Sequence, residues 1–328
     1  MVRTDTRSRS GSFLVVVLGV AVLFAGPAQG QAFPSRPIEF VVHTSAGGGT
    51  DLFARAISDL LAKEKMFSQP FTIFNRVGGQ GVIAFNYIKS KRGEPHVVLT
   101  VATGAVLTQA SRPEMELPLD IYTPLCLFAQ DPQVVAVRAE SKFRTFKELA
   151  ETAKREPNTL VAGFTGPTGA GRLTLYLIER ETGARFKFVT FKGGGDAVLA
   201  TLGGHVELTT ENMSEMLSLF EAGKMRALAV TGERRFAKAP DIPTLKELGY
   251  NIIAATGRGF AMPAGVPKEA AATMEAALKR VHDSPAYKDY AERNMFEDMY
   301  LDSAGFARYL VARRIDQENF LKSLGLLK

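Results

Sequence analysis

The 328-residue chain has one cysteine, four histidines and no long run of one charge sign, and each scarcity narrows what it can do. Cys126 cannot form an internal disulfide, and within Pro124-Leu125-Cys126-Leu127-Phe128 it reads as a buried apolar filler rather than a nucleophile. His43, His96, His205 and His282 stand far apart without a second ligand at metal spacing, so no metal and no cofactor is expected. No Lys/Arg run resembles a nucleic-acid arm, and no Gly-Lys-Ser/Thr ending completes a nucleotide loop. A Gly-x-Ser-x-Gly elbow, a His-Glu-x-x-His pair and a motif-defined carboxylate pair are missing too, which removes every positive argument for catalysis.

Long hydrophobic runs are also scarce. The apolar run near the N-terminus, Phe13 to Ala25, has thirteen residues, fewer than the about 20 that a spanning helix needs. Arg3, Arg7 and Arg9 precede it and the small residues around Ala28-Gln29-Gly30 follow, which is the pattern of a cleaved export signal over residues 1–30. Its removal takes three arginines and one aspartate, so the formal charge falls from +6 to +4. Such a mildly basic chain suits an anionic small ligand without demanding one. With 46% hydrophobic and 23% charged residues, a large packed core is expected. About 300 mature residues exceed the size at which single cores usually stop growing, so two domains are expected.

Short Val, Ile and Phe-rich segments predict strands at Ile38 to Val42, Phe71 to Phe74, Val97 to Val101, Val134 to Val137, Leu160 to Phe164, Phe186 to Val189 and Ala227 to Val230. Helices fall between them. Leu52, Phe53, Ala56, Ile57, Leu60 and Leu61 mark one apolar face after Asp51, and helix starts are signalled by Thr145 with Glu148, Thr244 with Glu247, and Pro267 before Lys268 to Val281. This βα alternation predicts an α/β fold of mainly parallel sheets flanked by helices, with ligands beyond the carboxyl ends of the strands. Turn formers at Gln130-Asp131-Pro132 and Gly257-Arg258-Gly259 divide the chain into a lobe of residues 31–132 plus 258–328 and a second of residues 133–257. Two such crossings make a hinge with a cleft between the lobes.

Four glycine-rich corners stand where strands pass into helices: Gly47 to Asp51, Gly78 to Gly81, Gly163 to Gly171 and Gly193 to Asp196. Backbone N–H groups and the positive end of a helix at such corners favour an anion. Asp51 can equally do no more than cap its helix, and Asp196 either meets a ligand hydroxyl or ammonium or only stabilises a helix start. Thr165 to Gly171 reads as a hydroxyl and amide cradle before the helix Arg172 to Arg180. His43, just ahead of the first corner, can donate a hydrogen bond or carry a charge. Arg258 lies at the return crossing, either reaching an anion or bridging the lobes.

Several pieces in order resemble the extracytoplasmic solute receptors of the tripartite tricarboxylate transporter family, also called Bug or TctC-like proteins. They are Pro34-Ser35-Arg36-Pro37-Ile38, Gly47-Gly48-Gly49-Thr50-Asp51, Asn75-Arg76, Lys192-Gly193-Gly194-Gly195, Leu202-Gly203-Gly204-His205-Val206-Glu207, Ala222-Gly223-Lys224-Met225-Arg226-Ala227-Leu228-Ala229-Val230 and Pro263-Ala264-Gly265-Val266-Pro267. The resemblance implies a two-lobed periplasmic binding protein, a monomer, that captures a small carboxylate and hands it to membrane permease subunits. Carried over position by position, it implies ligand contacts from Thr44, Ser45, Ala46, Gly48, Thr50, Asp51, Thr103 and Gly104 in the first lobe. The second lobe would add Thr165, Thr168, Gly169, Gly195, Asp196 and Asn212. His43-Thr44 replaces the Pro-Phe of many family members, and Phe164-Thr165-Gly166-Pro167-Thr168 stands where small residues are commoner, so the ligand's identity stays open. An exported hydrolase using Ser45 and His43, or a ligand sensor for a membrane kinase, are the rival readings.

Overall fold

All seven segments rich in Val, Ile and Phe form strands in the computed structural model, which describes residues 1–2, 33–111, 117–236 and 238–327. In chain order the elements begin with β1 (Ile38–Val42), α1 (Gly49–Lys63), β2 (Phe71–Asn75), α2 (Val82–Ser90), β3 (Val97–Ala102) and α3 (Thr103–Ala110). The long β4 (Tyr122–Arg138) leads to α4 (Phe146–Arg155), β5 (Val161–Thr165), α5 (Ala170–Thr182), β6 (Lys187–Phe191), α6 (Gly194–Leu202), β7 (Leu208–Asn212), α7 (Leu217–Glu221) and β8 (Met225–Val230). The chain then returns through β9 (Ala255–Pro263), α8 (Lys268–Asp283), α9 (Pro285–Arg293), β10 (Glu297–Leu301) and α10 (Ser303–Ser323). Apart from its first two residues, the expected export signal lies outside the described residues.

The sheet runs β2-β1-β3-β9-β4-β7-β5-β6, with β10 and β8 also paired to β4. Two parallel trios, β2-β1-β3 and β6-β5-β7, flank a centre in which β4 and β9 run antiparallel to each other and to their neighbours. Those two central strands carry the chain from one half to the other and back. β4 changes partner within its length: Tyr122 to Pro132 pair with β9, whereas Gln133 to Arg138 pair with β7 or β8. The sequence hides the first part of β4 because Pro124, Asp131 and Pro132 read as breakers. Register shifts between Pro124 and Cys126 and between Leu127 and Ala129 let the strand continue past a residue that cannot donate to the ladder. β9 is hidden by Gly257 and Gly259, where glycine serves close approach: a Cβ on Gly259 would stand 2.5 Å from the Cys126 carbonyl oxygen.

Side-chain alternation covers both faces of each half. Ile38, Phe40 and Val42 join Val98, Phe53, Phe128 and Phe260 on one face, while Val41 joins Val97, Leu99 and Val101 on the other. The second half repeats the scheme, Val135 and Val137 pointing to one core and Val134 and Ala136 to the other. Cys126 is buried and unpaired, and burial pushes its thiol pKa up, as suits a filler. The Thr145 and Glu148 capping box forms at the start of α4. Thr244 and Glu247 form the same reciprocal pair, at 3.0 and 2.9 Å, yet only a single turn follows, and it ends at Gly249 with φ 91°. Phe33–Lys328 is one compact unit, and among the described residues no helix is long and apolar enough to cross a membrane.

Candidate functional site

Each of the six parallel strands ends beside one cavity of about 480 Å³. His43 and Thr44 follow β1, Val77 to Gly79 follow β2, Ala102 and Gly104 mark the end of β3, Thr165 to Gly171 follow β5, Phe191 and Lys192 end β6, and Glu211 and Asn212 end β7. Gln133, Thr256 and Arg258 complete it from the two crossing strands. An α/β sheet places its variable loops at this end, which is why the corners converge there.

The corners contribute unequally. All seven residues from Thr165 to Gly171 line the cavity, and α5 starts after Gly169, whose extended backbone brings no side-chain cap. The first amides of a helix have no partner within it, so Ala170 and Gly171 bring such groups to a wall they form. The loop is held from outside, the Thr168 carbonyl accepting from Gln317 Nε2 at 3.4 Å and Thr108 Oγ1 at 3.5 Å. By contrast the corner before α1 is bonded by the chain itself: Gly47 N–H donates to Asp51 Oδ2 at 2.9 Å, Gly48 N–H to the Ser45 carbonyl at 3.2 Å and Gly49 N–H to Glu215 Oε1 at 2.8 Å. The corner at Gly193 packs against it, since a Cβ on Gly193 would lie 3.0 Å from Ser45 Cβ and one on Gly195 3.5 Å from the Gly47 carbonyl oxygen.

Behind this contact sits a charged cluster. Arg258, 2% exposed, donates from Nε and Nη2 to Asp131 Oδ2 at 3.0 and 2.6 Å, from Nη2 to Asn212 Oδ1 at 2.7 Å and from Nη1 to Thr50 Oγ1 at 3.0 Å. The guanidinium thereby ties the first corner, the crossing strands and β7 together. Burial pushes the Asp131 carboxyl up to about 6 even though Arg258 pulls it down. Glu211 accepts Thr165 N–H through Oε1 at 2.5 Å, and burial raises it to about 7. Glu215 is raised too, by burial and then by the charge of Glu211, and its Oε2 is sealed with no hydrogen-bond partner.

His43, Thr44, Thr50, Gly104, Thr165, Thr168, Gly169 and Asn212 line the cavity. Ser45, Ala46, Gly48, Asp51, Thr103, Gly195 and Asp196 lie outside the lining. Asp51 binds Arg55 through both oxygens at 2.9 Å and Asn75 at 2.9 Å; burial alone would raise it, but these bonds and the Gly47 amide hold it below the usual carboxylate range. Thr103 Oγ1 accepts Gly257 N–H at 3.0 Å, and Asp196 is exposed on α6. Thr44 is buried with a hydroxyl that meets no partner. His43 stacks on Phe85 with ring centroids 6.0 Å apart, and burial followed by the charge of Arg258 lowers its pKa to about 4. The charge considered for it is therefore absent at neutral pH, its Nδ1 meets no hydrogen-bond partner, and Ser45 packs against Gly193. Sequence reasoning passed over Glu211, Glu215, Gln133 and Thr108. The available signal was acidic residues beside Asn212 at a strand end, but nothing local says that they turn inward.

A model of the tripartite tricarboxylate transporter family receptor matches residues 53–326. A Cupriavidus necator protein described as the UPF0065 protein in the gbd 5' region is 30% identical over 323 residues, covering 95% of this chain and 94% of that one. A TctC solute binding protein from Polaromonas, solved without ligand, is 28% identical with a TM-score of 0.64, covering 89% of this chain and 99% of that one. An R. palustris protein solved with adipate is 25% identical with a TM-score of 0.84, covering 89% of this chain and 98% of that one.

Proposed function

The chain belongs to the tripartite tricarboxylate transporter family of receptors, and from that premise we propose that it is an exported receptor that closes two lobes over a small organic acid and presents it to a membrane permease. The lobes are residues 31–132 with 258–328 and residues 133–257, hinged at β4 and β9. The observation that carries this reading is the cavity itself, lined by strand ends from both halves and bounded where the Ser45 corner meets the Gly193 corner. At about 480 Å³ it fits a small molecule. The adipate in the similar R. palustris protein supports a carboxylate. Its oxygens would accept from the loop that opens α5 and from Thr44, Thr168 and Lys192, because hydrogen bonds to a charged acceptor are the stronger kind. Closure is driven by contacts that only the closed form makes, and the ligand leaves unchanged.

Calorimetry with a panel of organic acids, paired with mass spectrometry of the recovered ligand, tests this. A saturating acid at a hundred times its Kd stabilises the fold by about 2.7 kcal/mol and is recovered intact. Chemical turnover of the bound acid would replace the receptor reading with an enzyme. Loss of uptake of that acid on deleting the gene, with uptake of other solutes intact, is the expected result for the transport role.

A further inference from the structure

We propose that the captured acid carries, besides its carboxylate, a nitrogen hydrogen-bond donor, an ammonium or a carboxamide, seated against Glu211. The inference rests on the receptor reading and deepens it. The sheet-borne part of the lining, supplied by β7, the turn after it and the crossing strands, holds Gln133, Glu211, Asn212, Glu215, Thr256 and Arg258. Its one cation is already committed. Four of the five N–H groups that a guanidinium has are spent on Asp131, Asn212 and Thr50, so Arg258 cannot grip a ligand carboxylate with two parallel bonds. Asp131, Glu211 and Glu215 surround that single guanidinium, three carboxyl groups to one positive charge.

The two glutamates are not alike. Glu215 Oε2 is sealed without a donor, the position in which a carboxyl keeps its proton, and Oε1 is occupied by Gly49 N–H. Glu211 is 4% exposed, lines the cavity and is held by Thr165 N–H, so it is anchored as an acceptor with a lone pair to spare. Thr44, 7% exposed, lines the same cavity with an unpartnered hydroxyl. His43 is neutral at physiological pH, and among the described lining residues Lys192, which is exposed, is the one cation besides Arg258. Donors therefore come from the loops and acceptors from the sheet. A plain dicarboxylate would set its second anion beside Glu211, where like charges oppose each other once that carboxyl is ionised. An ammonium or an amide N–H supplies what the acceptors lack.

The test is calorimetry on the signal-free chain with matched acids, aliphatic and aromatic, that differ only in ending in carboxylate, carboxamide or ammonium, glutarate and its monoamide among them. At slightly alkaline pH the nitrogen-bearing member should bind at least about tenfold more tightly than its dicarboxylate partner. Glu211→Gln should shrink the preference for ammonium and leave the amide bound. The wild-type ranking does not depend on that variant folding, and a retained Tm of the free variant validates its arm. Dicarboxylates that bind as tightly as their nitrogen-bearing partners would overturn the proposal while leaving the receptor reading intact. Failure of every acid to bind would remove the receptor reading itself, and this proposal with it.

Discussion

The corner before α1 and the corner before α5 share their chemistry, glycines and hydroxyls leading into a helix, and differ in what covers them. At the first, Asp51, Ser45 and Glu215 take the amides of Gly47, Gly48 and Gly49. At the second, seven consecutive residues line the cavity and no side chain caps the helix. A helix start is open to a ligand only if the fold leaves it unanswered, and here the chain's own carboxyl group, brought from 166 positions away, answers one of the two. Glu215 fits because Gly49 and Gly194 lack side chains, and a Cβ on Gly194 would overlap its Oε2.

Three measurements would break or sharpen this contrast. The largest effect is expected from Arg258→Met, which leaves Asp131 buried without its partner and releases Thr50. Urea denaturation should show a loss of about 3–5 kcal/mol, and a loss below about 1 kcal/mol would mean that the guanidinium does not clasp the first corner. Next is the pH dependence of the ligand-free protein. Burial holds Glu211 at about 7 against an ordinary 4.5, and Glu215 shifts the same way, so the folded state keeps protons that the unfolded chain has released. Stability contributed by Glu211 is full below about 4.5 and is lost as pH rises through about 7, and Glu215 acts in the same direction. Tm should therefore fall across that window, and fall less in Glu211→Gln; a flat profile would show that the cluster is solvated. The smallest is Gly194→Ala, which must push Glu215 off the Gly49 amide at a cost of about 1–3 kcal/mol. If stability is unchanged and ligand affinity is too, the first corner is not sealed in the way described.

Local pattern made much of the fold legible. Ile38 to Val42 and Val134 to Val137 alternate between two cores because strand side chains alternate, and Thr145 with Glu148 marks a helix start because its bonds are local. The crossing strands were harder. Pro132 and Gly257 are breakers by local propensity, yet both pair within the sheet because β4 and β9 are buried against each other along their length. Thr165, Thr168 and Gly169 line the cavity in a loop that the chain signals locally, ahead of a helix. Thr103 is of the same residue type as Thr165 and Thr168 and Asp51 stands at the same kind of helix start, and only their partners, Gly257 and Arg55, show them bonded within the protein.

By itself, the sequence determined the βα alternation and the glycine corners at the carboxyl ends of the strands, since periodicity, capping and turn chemistry act within a few residues. Only the tertiary structure decided which corner stays open, where the single guanidinium spends its donors, and that two glutamates face the cavity. Those outcomes depend on groups distant in sequence, such as Glu215 against Gly49 and Arg258 against Asp131 and Thr50. Burial then sets their charge and bonding, and burial belongs to the assembled fold.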